Sequence, residues 1–478
     1  MARTSADVVV VGAGSAGCVL ASRLSEGPSR SVLLLDAGPD YAPDEWPPDL
    51  VDGVHGPSLS HDWGLTGTFG NREIRLPRGR VVGGCSATNA TFALRGSPAD
   101  YDAWSIPGWT FADVLPDFVA LETDRDFGSA PHHGSSGPVP VRRYRGPEQS
   151  ALAAAATEAL AGAAGIPLVT DHNAPWAVGV SALPVNAVAG RRVSTAISHL
   201  DPARSRANLV VRGGATVAAV VLNRGAAAGV RLTDGSVVGA GEVILSAGTY
   251  LSPRLLKASG LDLPGIGQNL VDHPAVSVDL PYTGPVDDLA VFQLVATLHS
   301  SHANPTTDPP DLQVMVGGSF PPPYAGQPPV CFIAAALLKP RSRGRVEERI
   351  QLNYYDHSSD LPRLMEGLER VEAAVASPAM RDLTGGGRLT PQLRGTELEE
   401  WVRRATWSYH HPVGTCALGS VVDAQCRVLD VAGLSVVDAS VMPEIPSANT
   451  NLPAIMVAEH LVRLRRKGAE THALRSGA

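Results

Sequence analysis

The stretch "ADVVVVGAGSAGCVLASRLSE", residues 6–26, decides the fold. It opens on the β-branched run Val8–Val11, passes through a glycine-rich turn, and continues with apolar Val19, Leu20 and Leu24 at helical spacing. "SVLLLDAG" (31–38) reads as a second buried strand, so the three pieces make a βαβ unit. Gly12, Gly14 and Gly17 form GxGxxG within it. Gly12 permits the tight turn, Gly14 lets backbone approach a pyrophosphate, and Gly17 lets the helix pack closely on the strand. The first amides of the helix then offer donors to the phosphates. Asp36 ends the second strand, 19 residues after Gly17, where an acid holds a ribose hydroxyl. A glycine-rich turn in some other α/β fold is the competing reading, and the strand, helix and acid around the motif weigh against it. The motif by itself does not separate FAD from NAD. Its single copy argues against an enzyme binding both on paired domains.

Around this unit lie 478 residues, length for about three domain-sized units. A hydrophobic content of 44% supports a large core, and a net charge of −8 disfavours nucleic acid as a partner. The short basic run "RLRRKG" (463–468) reads as the end of a helix, where cations suit the dipole. No apolar run approaches the roughly 18 residues of a membrane span, and no signal segment precedes the first strand. Five cysteines, widely spread and without CxxC, point to a reduced, cytoplasmic protein.

Residues 38–79 are rich in Pro, Gly and Asp with little periodicity, as in cofactor-covering segments. An Ala-rich helix is expected over 151–165, ending at Gly165. Residues 208–248 alternate, with turns at NRG and TDG, and read as hairpins or a meander. Residues 286–329 show no assignable pattern. Helices follow at 362–378 and at 452–468, the last closed by Gly468. His132–His133 and the pair His299 and His302 sit in Gly, Ser and Pro-rich surroundings without acidic neighbours, so surface loops are expected there and no metal.

A second glycine-rich loop, "GRVVGGCSATNATFALRG" (79–96), pairs Gly83 with Gly84 and continues in small polar residues, which lets backbone pass close to a flat ligand. With this loop the sequence resembles the glucose–methanol–choline (GMC) oxidoreductases. The resemblance is carried by the N-terminal fingerprint with "LLLDAG", by this loop, by "SAGTYLSPRLLKASGL" (246–261) and by "LPGIGQNLVDHP" (263–274). It ends with "HHPVGTC" (410–416) and "VVDASVMPEIPSANTNLPAIMVAEHL" (436–461). The motifs stand in family order across nearly the whole chain. Two departures stand out. Asp36 replaces the usual Glu, and the link between "ASGL" and "LPGIG" is short, which leaves the size of the cap open.

The resemblance implies an α/β (α+β overall) fold: a Rossmann-like FAD-binding domain from residues 1–100, 190–275 and 405–478, and a discontinuous substrate-binding domain, built on an antiparallel sheet, from 101–189 and 276–404. It implies FAD held by Gly12, Gly14, Ser15, Ala16 and Gly17, by Asp36 and Ala37, and by Trp63. In the second loop it points to Arg80, Val82, Gly83, Gly84, Ser86, Asn89, Ala90 and Thr91. Further along it points to Val217, Ala247, Asp438, Ala439 and Thr450. Trp63 is as readily a packed core residue. Some relatives attach the flavin through a His in the second loop; the matching position here is Thr88, so a non-covalent FAD is expected. Cys85, nearby, is read as buried filler.

Oxidising an alcohol needs an acceptor for hydride, supplied by flavin, and a base for the hydroxyl proton. A histidine suits the base, with a reference pKa of about 6.5. Within "WSYHHPVGTC" (407–416), adjacent side chains of an extended chain point to opposite faces, so only one of His410 and His411 can face the flavin. The alternation does not say which; the family's "HPVGT" pattern selects His411, leaving His410 as a packed neighbour. The same resemblance selects Asn451 to orient the substrate oxygen, with Asn449 second. Asn451, two residues before Pro453, also reads as an ordinary helix start. The expected activity is FAD-dependent oxidation of a small-molecule alcohol, reoxidised by oxygen or another acceptor. A non-redox hydroxynitrile lyase of the same fold, an NAD-dependent dehydrogenase and a non-catalytic flavin-binding protein are the alternatives.

Overall fold

Val8–Val11 is buried on both faces because the strand Ser5–Val11 lies inside the larger sheet. The computed structural model describes residues 4–321 and 327–476, with side chains of the last helix described as far as Lys467. In this sheet the strands run in the order Leu209–Arg212, Val32–Leu35, Ser5–Val11, Val237–Leu245, Ala226–Leu232, Val217–Asn223, and Leu434–Val436 also pairs with Val237–Leu245. The first four strands are parallel to one another, as a dinucleotide-binding fold requires. The expected meander is present as the antiparallel run from Val217 to Leu245, whose last strand turns back into the parallel core. The helix Ser15–Leu24 packs on the C-terminal helix Asn451–Ser476, so both helices begin close together.

The second sheet is antiparallel, in the order Trp407–Ser408, Pro274–Pro281, Val330–Leu337, Leu312–Phe320, Leu294–Leu298, Val180–Ala182. Its residues alternate between two faces. Val276, Val278, Leu280, Val314, Val316, Ile333, Ala335 and Leu337 pack with the helices Ala151–Gly162 and Asp360–Val375. The opposite face carries small residues, Ala275, Ser277, Ala334 and Ala336, beside Met315 and Phe332, and turns toward the Rossmann sheet.

Four local expectations are corrected. Residues 38–79 are not wholly irregular: Pro48–Val51 is a helical turn, and Thr66–Phe69 and Arg72–Arg75 belong to a four-stranded sheet. The unassigned stretch 286–329 holds two strands of the second sheet, whose long-range pairing leaves no local period; its residues 322–326 lie outside the described residues. The last helix does not close at Gly468 but runs to Ser476. Its cations serve ion pairs instead, Arg463 with Asp117, Arg465 with Glu242 and Arg466 with Glu26. His133 is not on a surface loop. It is buried against Glu122 (2.7 Å) and Asp171 (2.8 Å), acids brought in from elsewhere in the chain. Burial opposes its protonation, but those carboxylates outweigh it and raise its pKa. The guanidinium groups of Arg95 and Arg143 already bond Glu122 and Asp124 in the same cluster.

Candidate active site

One cavity of about 820 Å³ runs from the glycine loops of the Rossmann sheet to the small-residue face of the second sheet. At its first end, Gly12 adopts φ +96°, and a Cβ there would lie 2.5 Å from the Ser246 carbonyl oxygen. A Cβ on Gly17 would lie 1.9 Å from the Gly12 oxygen, so this glycine is required by helix–strand packing. Gly14 differs: a Cβ there meets nothing within 4 Å, because the position faces the open cavity. Against it stands Gly84, at φ +51°, whose own Cβ would lie 2.7 Å from the Gly14 Cα. The two glycine loops thus touch, and Gly83 N–H donates to the Ala13 oxygen at 2.6 Å. A bare backbone cradle at a helix N-terminus fits a pyrophosphate.

Asp36 stands at the edge of this cradle, its carboxylate accepting the N–H groups of Ala13 (2.8 Å) and Gly38 (2.7 Å). Burial raises its pKa, and those two N–H bonds partly offset the rise. Ser15, Ala16, Ala37, Trp63, Asn89, Ala90, Val217, Ala247, Ala439 and Thr450 also line the cavity. Gly17, Arg80, Val82, Gly83, Ser86 and Thr91 do not line it, and Arg80 is exposed. Arg80 lies over the Trp63 ring at 5.1 Å, and Ser86 Oγ donates to the Gly83 oxygen at 2.6 Å, holding the loop. Asp438 braces the opposite wall by accepting from Gly248 N–H, the Ser252 hydroxyl and Ser440 N–H. Thr88 and Cys85 face the cavity, and Cys85 is half-buried rather than buried filler.

The expected alternation over 407–411 is overturned. Only Trp407–Ser408 is strand, and His410 takes φ +67°, so the period of two is lost and both histidines line the cavity. The His410 carbonyl accepts from Arg78 Nη2 at 2.9 Å, which holds this turn. Burial, with help from Arg78, lowers the His410 pKa to about 3.

His411 is 8% exposed. Its N–H donates to Asp272 Oδ1 at 2.8 Å, and its ring Nδ1 lies 3.1 Å from Nδ1 of His273. Burial first, then the neighbouring rings of His273 and His410 and the Arg78 guanidinium, hold its pKa well below 6.5. His273 is also lowered to about 3, by burial. Asp272 is the hub: besides His411 it accepts the hydroxyls of Tyr354 (2.6 Å) and Ser408 (2.5 Å).

The two asparagines separate. Asn451 Oδ1 accepts the Ser15 hydroxyl at 2.7 Å, tying the C-terminal helix to the phosphate loop. Asn449 is buried, lines the cavity, and its Oδ1 has no hydrogen-bond partner; its side chain lies beside the Tyr409 hydroxyl, with which it interacts. Buried polar atoms left unsatisfied in a cavity wall mark a place for ligand polar groups. The sequence reading missed Arg78, Tyr409 and the Asp272–His273 pair. The dipeptide lay inside the quoted "LPGIGQNLVDHP", but nothing local says that it faces residue 411.

Comparison with known proteins agrees with this geometry. Two sequence models described as GMC oxidoreductase match residues 6–275 and 339–458. The 5-(hydroxymethyl)furfural oxidase of Methylovorus sp. is 33% identical, over 96% of this chain and 98% of that protein. The oxygen-dependent choline dehydrogenase of Escherichia coli O157:H7 is 31% identical over 96% and 94%. Among solved structures, pyridoxine 4-oxidase from Mesorbium loti superposes with a TM-score of 0.86 at 29% identity, covering 97% and 99% of the two chains. With both halves of the fold, the cradle and the family's ordered motifs in place, the chain belongs to the GMC oxidoreductases, a family of FAD-dependent enzymes.

Proposed function

We propose that this protein oxidises an alcohol to a carbonyl compound, with His411 as the proton acceptor and Asn449 as the group that orients the substrate oxygen. The observation that carries the reading is the neutral, buried His411, braced by His273 and Asp272 in the cavity that the phosphate cradle opens into. A neutral imidazole has one donor and one bare nitrogen. If His411 Nδ1–H donates to His273 Nδ1, its Nε2 is bare and can take the hydroxyl proton, while His273 carries its own proton on Nε2. Asn449, whose Oδ1 has no hydrogen-bond partner, lies in the same cavity wall, where its Nδ2–H can donate to the substrate oxygen. Asn451, assigned that role from the sequence, is occupied by Ser15 and better serves the cofactor end.

FAD, when bound, takes the carbon-bound hydrogen as hydride. In this reading Gly12, Gly14 and Ser15 hold its pyrophosphate, Asp36 a ribose, and the Gly83–Gly84 turn, with Asn89 and Ala90, the ring system. The lobes 1–100, 190–275 and 405–478 form the cofactor half, and 101–189 with 276–404 the substrate half. Their join runs through Pro274–Pro281 and Trp407–Ser408, strands of the second sheet that lead directly into the site residues. Thr88 at the family's attachment position supports a non-covalent flavin, and acid precipitation should leave the yellow colour in the supernatant. Oxygen or another electron acceptor completes turnover.

Mixing the holoenzyme anaerobically with a panel of alcohols tests the reading. Bleaching of the flavin supports it. A flavin that no alcohol bleaches sinks it and leaves a non-redox flavoprotein, such as the hydroxynitrile lyases.

A further inference from the structure

Four of the eight phenylalanines of the chain, Phe92, Phe292, Phe320 and Phe332, stand together on the cavity wall of the second sheet. Phe320 and Phe332 are parallel, 5.8 Å between centroids, and Phe292 meets both edge-on at 6.0 and 6.2 Å. A glycine is required beside them: a Cβ on Gly317 would lie 2.7 Å from the rings of Phe292 and Phe332. On the other side Trp407 packs on Tyr409 at 5.7 Å, and Tyr409 on His411 at 4.3 Å. Between these groups the sheet presents Ser277 and the flexible side chain of Met315 to the cavity, flanked by the small residues Ala275 and Ala334. The result is a ring-walled slot with a shallow floor, continuous with the cluster that ends at His411.

The slot holds no countercharge. Among the described residues lining the cavity the carboxylates are Asp36 and Asp438, both bonded to backbone N–H groups at the Rossmann end. Arg78 brings a positive charge to the same cavity beside His410. Aromatic faces alone attract quaternary ammonium ions, but here the nearby guanidinium opposes a cation and no carboxylate rewards it.

Resting on the alcohol-oxidation reading, we propose that the substrate is an uncharged aromatic alcohol. Its ring lies against Phe332 and Trp407 and its hydroxymethyl group reaches His411 and Asn449. The oxidation is balanced by the bound flavin: the hydroxymethyl C–H leaves as hydride, the O–H proton goes to His411, and an aromatic aldehyde forms.

The test uses the holoenzyme, mixed anaerobically with benzyl alcohol, cyclohexylmethanol and choline. Aromatic pairing is worth about two- to tenfold in binding, so benzyl alcohol should reduce the flavin about that much more efficiently than its saturated counterpart. Choline should trail by about a hundredfold. Phe332→Leu should raise the half-saturating concentration of benzyl alcohol more than that of cyclohexylmethanol, so that the preference for the aromatic ring shrinks. Phe320→Leu serves as a second variant of the same wall if the first is poorly folded. Equal efficiency for the saturated ring, or for choline, overturns the aromatic assignment alone. A flavin that none of the three reduces overturns the alcohol reading as well.

Discussion

Nδ1 of His273 and Nδ1 of His411 face each other at 3.1 Å, with their rings nearly perpendicular. Two ring nitrogens at that separation share one proton, and whichever donates leaves its other nitrogen without one. With His411 as the donor its Nε2 is the basic nitrogen, its tautomer held by His273 as outer partners hold those of metal-bound histidines.

His411→Ala should retain FAD and lose flavin reduction by about 10²–10⁴-fold. His410→Ala should cost much less, although both rings line the cavity. His273→Ala should slow reduction by about tenfold and also move the acid limb of the pH profile upward, because the His273 ring helps to hold the His411 pKa down. Stopped-flow reduction across pH measures all three. A His273 variant with an unchanged pH profile is only a packing defect.

Asn449→Ala and Asn451→Ala should fail in different ways. The first removes the cavity amide whose Oδ1 is unpartnered and should lower the limiting reduction rate with FAD content intact. The second breaks the bond to Ser15 and should release FAD more readily, with a rate near normal in the loaded fraction. Flavin content per chain and single-turnover rates separate them. The reverse pattern would return the substrate role to Asn451.

Gly14→Ala and Gly17→Ala distinguish a ligand cradle from a packing requirement. The methyl of Gly14→Ala meets no protein atom, so the chain should fold with near-normal stability and bind FAD poorly. The methyl of Gly17→Ala runs into the Gly12 carbonyl at 1.9 Å and should lower the melting temperature of the apoprotein itself. If Gly14→Ala retains FAD with unaltered affinity, the pyrophosphate does not lie over that residue.

Acid should loosen the fold in a defined window. His273 and His410 are lowered to about 3 and His172 to about 4, and His411 lies well below 6.5, in each case chiefly by burial. Unfolded, all four titrate near 6.5. Below that pH the unfolded chain takes up protons that the folded one refuses, so stability is complete above about 6.5 and falls on acidification, by about 1.4 kcal/mol per pH unit for each group. His133 works the other way, since its carboxylate partners raise its pKa. Among the histidines, four groups against one predict a lower urea midpoint at pH 5 than at pH 7, and a shallower fall in His172→Asn. A midpoint that holds or rises toward pH 5 means that the folded protein protonates these rings.

The sequence by itself determined the Rossmann unit, because a strand buried on both faces, a GxGxxG turn and an amphipathic helix are each written in neighbouring residues. It also determined the second glycine loop, since the close approach of Gly84 to Gly14 needs glycine whatever surrounds it. The tertiary structure alone decided which side chains meet in the cavity. The left-handed backbone at His410 breaks a period of two that the sequence displays, and Arg78, 332 residues away, holds that turn. His273 meets His411 across 138 residues, and the acids around His133 arrive from two separate segments, Glu122–Asp124 and Asp171. The phenylalanine slot is assembled from two loops and two strands whose pairing is long-range, so no local pattern announces it. Backbone conformations that depend on glycine or burial leave a local trace. Contacts between side chains far apart in the chain depend on the register of the sheets, and only the folded protein sets that.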